Sequence, residues 1–244
     1  MYHFFAPEGE QADGTLIITG NDVKHITRVL RLSAGDKIAV SDNQDRNHVC
    51  EITETGPDFV RLKIIGGEMP STEMNRHISI FQGLPKSDKM DYIVTKCVEL
   101  GAFSFVPVAM ERSVVKLDEK KKEDRRLRWQ AKAESAAKQS GRSRIPAVET
   151  VTDFTRALAM AKKMDYLVVP YESADNMAKT RKLLNEIEKD ASVAVFIGPE
   201  GGFSPNEIQM LKDAGAHIIT LGPRILRTET AGMAFLAMGT LLWE

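Results

Sequence analysis

Several things are scarce in this 244-residue chain: cysteine, tryptophan, net charge and long apolar runs. Its two cysteines, Cys50 and Cys97, show no metal-ligand spacing. That argues against a disulfide framework or a zinc module and predicts free, buried thiols in a reducing compartment. No stretch approaches the roughly 18 apolar residues that cross a bilayer. Met1-Tyr2-His3-Phe4-Phe5 lacks the basic start and apolar run of a signal peptide. The expectation is a cytoplasmic protein with no membrane attachment and no bound metal. What is present is ordinary for a folded soluble protein: 43% hydrophobic and 27% charged residues, enough core for one large domain or two modest ones.

The net charge of −1 hides a segregation. Residues 1–75 hold 7 Lys/Arg against 12 Asp/Glu, and residues 146–244 hold 10 against 13. Residues 112–145 reverse this, with 12 against 5. A local basic cluster of this kind suits a polyanion such as RNA, although a solvated helix face would show the same pattern.

The first 70 residues read as short strands with turns between them, the pattern of a small barrel. Thr15–Ile18, Lys37–Val40, His48–Ile52 and Phe59–Ile65 are the candidate strands, with a polar turn at Asp42-Asn43-Gln44-Asp45. Asn21-Asp22 can cap a short helix from Val23 to Arg31. Gly66-Gly67 through Pro70-Ser71-Thr72 reads as a linker. Strands and helices then alternate, which predicts an α/β domain with a largely parallel sheet. The strands are His77–Gln82, Phe103–Val108, Asp165–Pro170, Val193–Ile197 and His217–Leu221. The helices are Lys89–Leu100, Asp118–Ser140, Asp153–Lys163, Ala174–Lys189, Pro205–Ala214 and an apolar one at Glu229–Trp243.

Three loops leave the carboxyl ends of predicted strands, where open α/β sheets bind ligands. They are Val168-Val169-Pro170-Tyr171-Glu172, Ile197-Gly198-Pro199-Glu200-Gly201-Gly202, and Leu221 through Ala231. The glycine loop lacks the Lys-Ser/Thr of a P-loop and the GxGxxG spacing. Glu200 would repel an oxyanion and Pro199 removes an N–H donor. The loop therefore predicts a neutral or cationic ligand lying flat on backbone. Ser204 and Glu207 have capping-box spacing and start the next helix. Thr228, Glu229 and Thr230 suit a helix N-terminus, with Glu229 complementing the dipole.

The order IGPEGGFS, then LGPRILRTETA before a C-terminal apolar helix, resembles the SPOUT superfamily of S-adenosylmethionine-dependent RNA methyltransferases. More narrowly the chain is similar to the RsmE family, which methylates N3 of a uridine in 16S ribosomal RNA. Gln82-Gly83-Leu84-Pro85-Lys86, Lys96-Cys97-Val98-Glu99-Leu100-Gly101, Glu111-Arg112-Ser113 and Glu134 through Arg142 add to the likeness, as do His3-Phe4-Phe5 and His25 through Arg31. His3 departs from the arginine more usual at that position.

The resemblance implies a PUA-like RNA-binding β barrel over 1–72 and a SPOUT methyltransferase domain with a trefoil knot over 73–244, assembled as a homodimer. It implies S-adenosylmethionine contacts at Pro170, Tyr171, Ile197, Gly198, Glu200, Gly201 and Gly202. Others fall at Leu221, Gly222, Pro223, Ile225, Leu226, Arg227, Thr230 and Ala231. A side chain placed at Gly201 is expected to fill the adenine space.

The acceptor nitrogen holds a proton and needs help to lose it. Arg142 is the first candidate for stabilising negative charge on the uracil or for gripping a flanking phosphate. Glu229, and after it Glu200, are the candidate proton acceptors. His25, Arg28, Arg31, Lys86, Lys89, Arg112, Arg125, Arg126 and Arg128 are expected to follow RNA phosphates, with Arg28 and Arg31 on one helical face. Trp129 is a base-stacking candidate or a core residue. The 16S rRNA, within the small ribosomal subunit, is the expected partner. The alternatives are a SPOUT enzyme with another RNA acceptor, such as a ribose 2′-hydroxyl or a tRNA base, and a non-catalytic ribosome-assembly factor.

Overall fold

Alternation organises the first part of the chain. In Phe59–Ile64, Val60 and Leu62 are fully buried while Arg61 and Lys63 point to solvent, because successive side chains on a strand face opposite ways. The computed structural model describes residues 1–6, 14–43, 45–66, 69–172 and 176–244. Gln44, Gly67 and Ala174, assigned above to a turn, a linker and a helix start, lie outside the described residues.

The described residues gather into two compact units: Met1–Glu73 with Ala137–Ile145, and Met74–Ala136 with Pro146–Glu244. A single cut after residue 72 does not assign 137–145 to the first unit. The reason is contact rather than chain order: Ser143 and Arg144 hydrogen-bond to Asn47, Thr72, Glu73 and Asp45.

The first unit is a curled five-stranded sheet. Its strands are β1 (His3–Phe5), β2 (Thr15–Thr19), β3 (Lys37–Ser41), β4 (Asn47–Thr55) and β5 (Phe59–Ile64). They run in the order β1-β3-β4-β5-β2, antiparallel except for β1 beside β3. Leu16, Ile18, Ile38, Val40, Ile52, Val60 and Leu62 meet in one core.

The helix expected from Val23 to Arg31 starts and ends two residues earlier, and its second half is wider. α1 covers Asn21–Lys24 and passes into a π-helical turn at His25–Val29, closed by Leu30 N–H to His25 C=O at 2.9 Å. Arg31, at φ 56°, stops it. Neither Asn21 nor Asp22 is the cap; Gly20 takes that position and no side chain caps the helix. Arg31 therefore stands outside the helix, and the expectation that it shares a helical face with Arg28 fails.

The second unit is a parallel sheet between helices, in chain order β6 (His77–Gly83), α2 (Lys89–Glu99), β7 (Ser104–Ala109), α3 (Glu119–Ser140), β8 (Ala147–Val148), β9 (Thr152–Asp153), α4 (Phe154–Ala161), β10 (Tyr166–Pro170), α5 (Met177–Glu186), β11 (Ser192–Ile197), α6 (Pro205–Asp213), β12 (His217–Ile219) and α7 (Thr228–Trp243). The last turn of α3 belongs to the first unit. The strand order is β12-β10-β11-β6-β7-β8, with β9 also on β7.

Central strands of such a sheet are covered on both faces and so run apolar without alternation. β11 does this, buried from Val193 to Ile197, and Phe81 of β6 stacks on Phe196 at 4.7 Å. The short strands β8 and β9 had no sequence signal, since two residues are too few to show a period. Trp129 is buried among the described residues; burial makes it core and removes it from base stacking.

Candidate active site

β10 hydrogen-bonds to β11 on one side and to β12 on the other, all parallel. Their carboxyl ends are therefore side by side, and the three predicted loops open onto one cavity of about 490 Å³. Pro170 and Tyr171 line it from β10, and Ile197 through Phe203 line it from β11. The third wall is Thr220–Gly222, Arg224–Glu229 and Ala231. Lys89 and Arg112 complete it.

The loop after β11 depends on its glycines. A Cβ at Gly198 would come within 3.2 Å of the Gly202 carbonyl carbon and 3.3 Å of the Phe203 ring. Gly202 turns the chain at φ 68°, and its N–H bonds to the Pro199 carbonyl at 2.9 Å. Gly83, at the end of β6, lies under Pro199: a Cβ there would be 2.7 Å from the Pro199 nitrogen. That is a backbone clash which only glycine avoids. A Cβ at Gly201, in contrast, would meet the Arg112 side chain at 3.0 Å. A substitution at 201 thus presses first on Arg112.

The loop's exit is held by the predicted capping box. Glu207 N–H bonds to Ser204 Oγ at 3.2 Å, and Ser204 N–H bonds to Glu207 Oε2 at 2.8 Å. Glu207 Oε1 also accepts the Glu111 N–H at 2.9 Å, which brings the Glu111-Arg112 segment to the loop. Arg112 Nη1 then donates to the Gly201 carbonyl at 3.1 Å.

Thr228 opens α7, in line with the expected helix N-terminus, but Arg227 is the N-cap and no side chain caps the helix. The Thr228 hydroxyl instead donates to the Gly198 carbonyl at 2.6 Å and accepts from Gln82 Nε2 at 2.9 Å. One hydroxyl thereby ties the end of β6, the glycine loop and the start of α7.

Charge is concentrated at one wall. Lys89 Nζ lies 3.0 Å from Glu200 Oε1 and 3.3 Å from Glu229 Oε2. Both Glu200 oxygens accept the Lys86 N–H, at 3.1 and 3.3 Å. The hydrogen bond to Glu200 raises the Lys89 pKa above its ordinary value, against partial desolvation, and Glu229 adds to the rise. Burial pushes the Glu200 carboxyl up, but the hydrogen bonds from Lys89 and from backbone N–H groups outweigh it and leave it below its ordinary value. Glu200 is thus a weak base.

Of the residues expected to hold cofactor, Pro170, Tyr171, Ile197, Gly198, Glu200, Gly201, Gly202, Leu221, Gly222, Ile225, Leu226, Arg227 and Ala231 line the cavity. Thr230 does not, and Pro223 lines a smaller adjoining cavity of about 220 Å³. Phe203 and Thr220 line the cavity from just outside the predicted loops, while Glu172, Pro199, Arg224 and Thr228 lie in those loops but were not among the expected cofactor contacts. Thr228 stood in the quoted motif, but nothing local distinguishes a capping hydroxyl from a tethering one.

The charged candidates divide. Glu229 lines the cavity. Arg142 belongs to the first unit and is buried, its guanidinium bonded to Glu73. It is not among the lining residues. Lys89 and Arg112, expected on phosphates, line the cavity. Arg126 pairs with Glu123, and Arg128 with Asp88 and Asp91. Lys86, His25 and Arg28 are exposed, as is Arg31.

Residues 72–239 match the RNA methyltransferase domain family, and residues 18–65 match the RNA methyltransferase PUA domain family. The chain belongs to the RNA methyltransferase family. Among family relatives, the ribosomal RNA small subunit methyltransferase E of Bacillus subtilis (strain 168) is 37% identical over 220 residues, covering 89% of this chain and 86% of its own. That of Mycobacterium tuberculosis (strain CDC 1551 / Oshkosh) is 29% identical over 232 residues, covering 92% and 86%. The crystal structure of a ribosomal RNA small subunit methyltransferase E from Neisseria gonorrhoeae bound to S-adenosylmethionine superposes with a TM-score of 0.84 at 30% identity, covering 100% of this chain and 98% of that one.

Proposed function

We propose that this chain transfers the methyl group of S-adenosylmethionine to N3 of a uridine in 16S rRNA, as a cytoplasmic homodimer acting on the small ribosomal subunit. In this reading residues 1–72 grip RNA, and residues 73–244 form the knotted catalytic domain. The observation that carries it is the convergence of the three loops on one glycine-floored cavity, in a chain of the RNA methyltransferase family.

The residues present suit the cofactor. The cavity's volume falls within the usual range for ligand pockets. Its glycines leave bare backbone where a Cβ would intrude or where φ is positive, a surface on which a flat base can lie. Gly198, Gly202, Leu221, Leu226 and Ala231 are the backbone and apolar contacts, and Tyr171, edge-on to Phe203 at 6.3 Å, forms the rim. When bound, S-adenosylmethionine supplies a methyl group already activated on a sulfonium.

The protein's own task is the acceptor. Uracil N3 must lose a proton while it is held in line with the methyl group. Glu229, at the start of α7 and facing the cavity, is the candidate acceptor of that proton. Glu200, held ionised below its ordinary pKa, is better suited to fixing Lys89 than to taking a proton. Arg142, bound to Glu73, holds the 137–145 segment in this reading.

The test is small-subunit RNA from a strain lacking the protein, digested and examined by mass spectrometry for 3-methyluridine. Loss of one residue, restored by wild-type chain and not by Glu229→Gln, is the expected result. An unchanged level rejects the uracil-N3 assignment.

A further inference from the structure

Among the charged groups lining the cavity are Lys89, Arg112, Arg224 and Arg227, with Glu172, Glu200 and Glu229. Lys89 is held between two carboxylates, Glu200 of the glycine loop and Glu229 at the start of α7. The three groups together amount to one negative charge. The cluster is also anchored, since Glu200 is fixed by the Lys86 N–H and Glu229 lies in the first turn of α7. Lys89 itself opens α2, so its ammonium joins three elements at the wall beside the glycine loop.

The methyl donor and its demethylated product share the same adenosine and the same amino-acid tail. They differ by one methyl group and by one positive charge on sulfur. A pocket that tells them apart does so through methyl contact and through the local field. Two unopposed carboxylates would hold the cation strongly, and one carboxylate balanced by a lysine would scarcely sense it.

We propose that Lys89 is a positioning residue that sets the charge of this wall at one negative unit and so grades the pocket's preference for the sulfonium donor over its uncharged thioether product. This rests on the cofactor reading above. Turnover benefits from the intermediate value, because the attraction falls away once the methyl group has left and the product is neutral at sulfur. The raised Lys89 pKa and lowered Glu200 pKa keep both groups charged at neutral pH.

Unit charges about 4 Å apart in bulk water interact enough to change a binding ratio by roughly fivefold, more in the lower effective dielectric of a protein surface and less at high salt. The experiment measures dissociation constants of S-adenosylmethionine and S-adenosylhomocysteine by calorimetry, for wild type, Lys89→Met, Lys89→Arg and Glu200→Gln, at low and raised salt. Lys89→Met is expected to raise the preference for the charged donor by about threefold or more. Glu200→Gln is expected to lower it by a similar factor, Lys89→Arg to leave it unchanged, and raised salt to shrink every difference. An unchanged preference in Lys89→Met overturns the proposal, as does a shift of the same sign in Lys89→Met and Glu200→Gln. Equal weakening of both ligands in every variant also overturns it, leaving Lys89 a purely structural tie while the cofactor reading stands. Failure of wild type to bind either ligand overturns the cofactor reading and this proposal with it.

Discussion

Arg142 with Glu73, and Lys89 with Glu200 and Glu229, are both basic side chains gripping carboxylates, but their surroundings differ. The Arg142 and Glu73 side chains are 4% and 14% exposed, and the Arg142 N–H bonds to the Ala137 carbonyl at 2.9 Å. The Lys89, Glu200 and Glu229 side chains are 34%, 28% and 18% exposed and face a cavity. A buried pair has its charge consumed by its partner, whereas a pair at a cavity wall can still act on what enters. Residue type alone does not separate a buried arginine from a lysine at a cavity wall.

The sharpest way to break this comparison is to remove Arg142. Arg142→Ala leaves Glu73 uncompensated, and loss of one partner from a buried pair costs about 3–5 kcal/mol. Urea unfolding should show that loss, while the folded protein keeps wild-type cofactor affinity. A wild-type unfolding midpoint with lost turnover would instead restore Arg142 to the uracil-stabilising role.

Next in size is Gly198→Val, which forces the glycine loop away from Gly202 and Phe203. Overpacking of about 1–3 kcal/mol should weaken cofactor binding at least about tenfold by calorimetry, with a smaller change in unfolding midpoint.

A third test uses pH. Glu200 has a lowered pKa, so its contribution is complete above the ordinary value of 4.5 and is lost as pH falls through the lower folded value. Lys89 has a raised pKa, so its contribution is complete below the ordinary value of 10.5 and is lost as pH rises through the higher folded value. Cofactor affinity should therefore stay flat from roughly pH 6 to 9, and any rise in turnover there reports the acceptor's proton. A break in affinity inside that window would mean that the cluster titrates as pH changes.

The smallest effect is expected at Arg126, whose partner Glu123 is one turn away on an exposed helix face. Arg126→Ala should leave the unfolding midpoint unchanged, because surface pairs contribute little. The salt slope of RNA affinity should fall by no more than about one phosphate contact.

Much of the second unit was legible because its signals are local and long. β11 is an unbroken apolar run bounded by a glycine loop, and Ser204 with Glu207 marks the helix start by spacing alone. The helix after Gly20 was less legible. Its π-helical turn depends on how Ile26 packs into the core and on Arg31 accepting a positive φ, and periodicity reports neither. Arg112, Arg126 and Arg128 read alike as phosphate contacts within one basic stretch. Only folding assigned the first to the Gly201 carbonyl and the other two to nearby carboxylates.

By itself the sequence showed which loops leave the strand ends that meet at the cavity, since strand, glycine and cap signals depend on neighbours within a few residues, and motif order pointed to the family. Tertiary structure decided what each charged side chain faces. Lys89, Glu200 and Glu229 are far apart in the chain and meet only because β6, β11 and the start of α7 come together through sheet pairing and the Thr228 tether. The energy of a charge depends on its burial and its nearest opposite charge, and neither exists until the chain has folded.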